Sequence, residues 1–162
     1  MIRDYQALQY TWFEKGKQRV IKTTGKHQGV KLLATVNYAT GQILWQEDIS
    51  YNAEAFLKFL QYVMDAHPVG KVVIVLDNAR IHHAKLIQPF LTQHATRLEF
   101  VFLPPYSPKF NIVEGLWKWL KSDVINNVFY HNVKEIRSNV KSFMDHIMQD
   151  LLKVIDRLCL KV

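Results

Sequence analysis

The chain has 162 residues, 49% of them hydrophobic and 22% charged, a composition that gives one globular domain with a real core and excludes a disordered tail, a collagen and a coiled coil. No apolar run approaches the roughly 18 residues of a membrane span, the N-terminus lacks the charged-then-apolar order of a signal peptide, and the single cysteine, Cys159, excludes an internal disulfide and a multi-cysteine zinc module. A soluble, unexported protein of the reducing cytoplasm, with no membrane partner, is expected.

Lysine and arginine total 21 against 14 carboxylates, a net charge of +7. Residues 1–31 hold Arg3, Lys15, Lys17, Arg19, Lys22, Lys26 and Lys31 against Asp4 and Glu14, a local +5. Residues 32–103 are nearly balanced, and residues 104–162 carry nine bases against six acids. Charge gathered at the two ends of the chain is what a polyanion surface needs, because each neutralised phosphate releases counterions. A plain solubility excess gives the same sum.

In chain order, residues 31–38 (KLLATVNY) and 42–47 (QILWQE), joined through Gly41, read as a hairpin. Asn52 caps a helix whose Phe56, Phe59, Leu60 and Val63 form one apolar stripe ending before Pro68. Residues 72–76 (VVIVL) have the pattern of a strand buried on both faces. A helix from about Ala84 to His94 follows, then a second buried strand over residues 98–103 (LEFVFL). Asn111 and Glu114 form a capping-box signature ahead of a helix with Val113, Leu116, Trp117, Leu120 and Val124. Asn132 and Glu135 repeat it ahead of one long helix carrying Ile136, Val140, Phe143, Ile147, Leu151 and Val154. The order predicts an α/β sandwich with a mixed sheet.

Ligands of open α/β sheets gather beyond the carboxyl ends of the strands, where Asp77 sits directly after VVIVL. A carboxylate there is solvated, hydrogen-bonded or bound to a cation; a turn-capping role is the plainer alternative. Glu114 lies in the first turn of its helix, after an approach fixed by Pro104, Pro105 and Pro108, and shares a face with Lys118 and Lys121. For Glu114 alone, the capping box explains as much as catalysis does. Together the two carboxylates match what a pair of magnesium ions needs: hard oxygen ligands on separate rigid elements. His82 and His83 lack cysteine or a third histidine at zinc spacing, so Asn78, Arg80 and His82 fit a phosphate-contacting or loop-positioning role better. Trp117 and Trp119 read as packing rather than base-stacking, with Trp117 assigned to the core.

Residues 76–85 (LDNARIHHAK), followed by residues 103–118 (LPPYSPKFNIVEGLWK), closely resemble the second and third catalytic blocks of mariner-superfamily DDE transposases in the bacterial insertion-sequence branch. Residues 12–16 (WFEKG) and the hairpin after them match the first block less strongly. The resemblance implies a ribonuclease-H-like mixed sheet flanked by helices, and a two-metal site for Mg2+ or Mn2+. It implies cleavage and strand transfer of transposon-end DNA, with Asp77 as the second aspartate and Glu114 as the glutamate. Asn78, His82, Pro108 and Asn111 then shape the site, Lys15, Lys17, Arg19, Lys22, Arg80, Lys118 and Lys121 contact double-stranded DNA, and a nucleoid-associated homodimer is expected.

Counting back from Trp12 places the family's first aspartate about three positions before Met1, so the first strand and the N-terminal helix-turn-helix domain are expected to be missing from a single incomplete catalytic domain over residues 1–162. Asp4 is the only nearby substitute, without an apolar strand before it. An inactive fragment is therefore expected, with the Met1 to Trp12 segment, a second chain or local disorder closing the gap. A non-catalytic DNA-binding or dimerising remnant and a ribonuclease-H-like nuclease are the competing functions.

Overall fold

The computed structural model describes residues 2–3, 12, 14–17, 20, 29–105 and 110–158. Strands β2 (Gly29–Val36) and β3 (Ile43–Asp48) form the expected hairpin, in register from Lys31 opposite Asp48 to Val36 opposite Ile43. Asn37 holds the reversal, its Oδ1 accepting from the Ala39 and Thr40 amides at 2.9 and 3.1 Å. Gly41 then adopts φ +72°, and a Cβ added there would stand 2.6 Å from the Leu151 carbonyl oxygen, so only glycine fits. A short strand β1 (Ile2–Arg3) pairs antiparallel on the other edge of β2, with Ile2 opposite Val30.

Side chains alternate across the hairpin as a period of two requires. Leu32 and Ile43 join a core beneath the C-terminal helices, with Leu116, Leu120, Ile136, Val140, Met144 and Val154. Leu33 and Leu44 face the opposite way, into a second core with Phe56, Phe59, Leu60 and Ile74. This hairpin is covered on both faces.

Helix α1 (Ala53–Ala66) starts at Asn52, whose Oδ1 accepts from the Ala55 amide at 2.9 Å, and it buries the predicted stripe. It leads into β4 (Val72–Leu76), which pairs in parallel with β5 (Leu98–Phe102) from Val72 opposite Leu98 to Leu76 opposite Phe102. Arg97 fastens the connection ahead of β4, donating from Nε to the Gly70 carbonyl at 3.1 Å and from Nη2 to the His67 carbonyl.

Three expectations fail here. The β4 and β5 strands are buried on one face alone: Ile74 and Leu76 pack on α1, whereas Val73 and Val75 remain about half exposed because none of the described residues covers them. The helix expected from Ala84 reduces to two 3-10 turns, Arg80–His83 and Lys85–Ile87, and a short α2 (Gln88–Gln93). Pro89 is the cause, since proline lacks an N–H and is tolerated only in a helix's first turn. The long C-terminal helix is two, α4 (Val133–Ile147) and α5 (Leu151–Leu158), because Asp150 Oδ1 takes the Lys153 amide at 3.1 Å and caps a new start.

Between β5 and α4 lies α3 (Ile112–Leu120), continued by one π-helical turn, Lys121–Ile125. Trp119 is the more buried of the two tryptophans, edge-on to Phe143 and donating Nε1–H to Asp123 at 2.8 Å; Trp117 packs at the border of that core. Among the described residues the ladders β1-β2-β3 and β4-β5 share no pairing. Beyond residues 29 and 30, no described residue pairs with β2 on the side away from β3. No helix among the described residues is long and apolar enough to cross a membrane.

Candidate active site

Asp77 is the first residue past β4, at the carboxyl end of the parallel pair. Its Oδ1 accepts the Ala79 amide at 3.1 Å, which bends the chain away from the strand, and the carboxylate remains 57% exposed. The turn-capping and site readings of Asp77 thus coexist, because Oδ1 builds the turn and Oδ2 takes no hydrogen bond from the described residues. Asn78 points across to β5, donating Nδ2–H to the Leu103 carbonyl at 2.9 Å.

His82 follows from the 3-10 turn. Its ring is buried, 4.6 Å from the Phe56 ring, with Nδ1 3.0 Å from the Asp77 carbonyl oxygen and 3.2 Å from Asp77 Oδ1. A carbonyl can only accept, so Nδ1 carries the proton and His82 holds both the backbone and the carboxylate of Asp77. His83 turns the other way and stacks on Phe102 at 4.5 Å.

Glu114 occupies the first turn of α3, behind Asn111, whose Oδ1 caps the helix at the Val113 amide, 3.2 Å away. The equivalent Glu135 of α4 closes its capping box: Oε2 accepts the His131 amide at 3.0 Å and Oε1 the Asn132 side chain at 2.9 Å. Among the described residues, the Glu114 side chain takes no hydrogen bond or ion pair, so its exposed carboxylate is left for a ligand.

Tyr51, a residue that no motif marked, lies within electrostatic range of both acids. Its phenol pKa is raised by partial burial first and then by the charges of Asp77 and Glu114, so both carboxylates bear on one hydroxyl. The sequence signal available for it was position alone, directly ahead of the Asn52 cap.

Arg80, Lys118 and Lys121 are exposed on the elements that carry Asp77 and Glu114. Lys15 and Lys17 are exposed in the N-terminal stretch, with Lys17 paired to Glu14 at 2.5 Å. Pro108, Arg19, Lys22 and Asp4 lie outside the described residues. Asp77 and Glu114 supply hard oxygen donors suited to magnesium or manganese; among the described residues no third histidine, cysteine or carboxylate joins them in a metal-holding group. The donor chemistry fits, and the donor set is partial.

The description "DDE superfamily endonuclease" belongs to the family model that matches residues 1–137 of this chain. The chain belongs to that family. It is 23% identical over 137 residues to the "Insertion element IS630 uncharacterized 39 kDa protein" of Shigella sonnei, a match covering 84% of this chain and 40% of that protein. Among solved structures it is similar to a Mos1 transposase paired-end complex with left transposon end (TM-score 0.64, 12% identity, 97% of this chain and 50% of that one). It is also similar to the Mos1 mariner paired end complex with Mn (TM-score 0.61, 13% identity, 97% and 51%). The chain therefore spans between 40% and 51% of these relatives' lengths, and its fold is the ribonuclease-H-like α/β arrangement that the motifs implied.

Proposed function

We propose that this DDE domain is the catalytic portion of a transposase, cutting and joining the phosphodiester backbone of transposon-end DNA with Asp77 and Glu114 as carboxylate ligands of Mg2+ or Mn2+. The observation that carries this reading is the Glu114 carboxylate, which a helix cap of its type normally consumes and which takes no partner among the described residues, together with Asp77, within electrostatic reach of Tyr51. Divalent cations bound there would polarise the scissile phosphate and stabilise the attacking and leaving oxygens.

The chain's own residues do the positioning. His82 fixes Asp77 at both carbonyl and carboxylate, Asn78 ties that turn to the exit of β5, and Asn111 starts the helix that presents Glu114. Arg80, Lys118 and Lys121, with Lys15, Lys17, Arg19 and Lys22, take the DNA backbone, so affinity falls steeply with salt. Pro108 directs the approach to Glu114. The active form is a homodimer on paired transposon ends.

The incomplete donor set among the described residues favours, as a second reading, a non-catalytic DNA-binding or dimerising module.

Cleavage and joining of radiolabelled transposon-end DNA separates the two. The catalytic reading expects cleavage and joining in Mg2+ or Mn2+ that Asp77→Ala or Glu114→Gln abolishes. Salt-sensitive DNA binding without cleavage establishes the binding module instead. Cleavage without joining identifies a nuclease.

A further inference from the structure

Glycine is a poor helix former, so one placed inside a helix calls for a reason in its surroundings. Gly115 stands directly after Glu114 in the first turn of α3, and its reason is α5. A Cβ added to Gly115 would lie 3.2 Å from Leu158 Cδ2, inside the ~3.5–4.0 Å of ordinary carbon contact, so any side chain there would press on α5. One turn along α3, Trp119 presents the same face, and the Arg157 guanidinium lies 4.5 Å from the centre of its ring. Arg157 and Leu158 thus back α3 at two levels, beside the fully buried Leu116 and Leu120. Glu114 and Lys118, on the adjoining face, are exposed.

At its other end α5 is wedged. Asp150 caps it, Val154 is fully buried in the core, and the Leu151 carbonyl lies so close to Gly41 that a Cβ there would come within 2.6 Å of its oxygen. The helix therefore runs as a strut from the turn between β2 and β3 to the first turn of α3. A strut held at its far end fixes the height and rotation of the turn it meets, and Glu114 is one residue from the point of contact.

We propose that Leu158 is a positioning residue of this site: packed against Gly115, it holds the first turn of α3 where the Glu114 carboxylate can reach a cation shared with Asp77. The proposal deepens the metal-dependent reading above and rests on it. It brings α5, which lies past the family-matched residues 1–137, into the machinery of the site.

Mn2+ titration and urea unfolding of the full 162-residue chain and its variants test it. Leu158→Ala, which leaves Gly115 unbacked, weakens Mn2+ binding about tenfold, the lesser of the losses usual when a metal ligand's support is removed. Leu158→Met refills the contact and keeps wild-type affinity. Gly115→Ala weakens Mn2+ binding several-fold without loss of stability, because alanine is the better helix former; a packing role alone would not move the first without the second. Combining Gly115→Ala with Leu158→Ala recovers part of the loss, since the shorter side chain makes room for the added Cβ.

Mn2+ binding indifferent to Glu114→Gln sinks the parent reading, and the positioning role with it. Glu114-dependent binding that Leu158→Ala or Gly115→Ala leaves unchanged overturns the positioning role alone. Losses that simply add in the double variant show two residues acting independently and overturn it as well. If Leu158→Ala loses cooperative unfolding, Gly115→Ala decides by the same criterion.

Discussion

The Asn78 side-chain amide donates to the Leu103 carbonyl oxygen across 2.9 Å, and this bond joins the exit of β4, where Asp77 sits, to the exit of β5, where the chain departs for Glu114. The backbone bond from Leu103 N–H to the Leu76 carbonyl at 2.8 Å ends the ladder one step earlier. Replacing Asn78 by leucine removes this clamp. Asn78→Leu is expected to lower unfolding free energy by about 1 kcal/mol, the usual net worth of one hydrogen bond, and to weaken Mn2+ binding by a larger factor than that loss alone implies. Urea unfolding and Mn2+ titration on the same variant check both.

Glu114 and Glu135 hold the same place in the same capping signature and do different things. Glu135→Ala breaks two hydrogen bonds at the start of α4 and is expected to cost about 1 kcal/mol of stability. Glu114→Ala breaks none among the described residues and is expected to change stability by no more than about 0.5 kcal/mol, while removing cation binding. Parallel denaturation curves and metal titrations of the two variants measure the contrast.

Much of this was legible before any coordinates. Asn52, Asn111 and Asn132 all cap helices, because an asparagine side chain ahead of an apolar stripe has few better uses. Asp77 fell at a strand end because VVIVL can run no further than its first charge. What escaped were effects of tertiary context. The exposure of Val73 and Val75 depends on whether anything covers that face, which five apolar residues in a row cannot reveal. The break at Asp150 lay hidden inside a continuous helical period that its side chain interrupts. Tyr51 escaped because its importance comes from two carboxylates distant in sequence.

His82 acts on Asp77 through a single ring nitrogen. His82→Leu leaves the Asp77 carbonyl without its donor, and a loss of about 1–3 kcal/mol is expected. His82→Asn, whose Nδ2 can stand where Nδ1 stood, recovers part of that loss and most of the Mn2+ affinity. A variant pair with equal Mn2+ affinity would show that His82 fills space against Phe56 and does not orient the carboxylate.

Tyr130 gives the fold a pH limit. Its hydroxyl donates to the Val124 carbonyl at 2.5 Å within the core, and burial first, then the charge of Glu135, raises its pKa above the ordinary tyrosine range. The folded state thus binds this proton more tightly than the unfolded state. The stabilisation is fully present below a pH of about 10 and is lost as pH rises through the elevated folded-state value. Urea midpoints measured from neutral to strongly alkaline pH should fall less steeply for Tyr130→Phe than for wild type.

The central claim is that Asp77 and Glu114 share a divalent cation site, and a manganese-edge anomalous difference map from crystals grown with Mn2+ tests it most directly. Ligand distances of about 2.1 Å and paired ions about 4 Å apart require the two carboxylates to approach within about 8 Å of each other. The account predicts an anomalous peak between them, lost in Asp77→Ala. A peak elsewhere, or carboxylates separated by the width of the sheet, would contradict it.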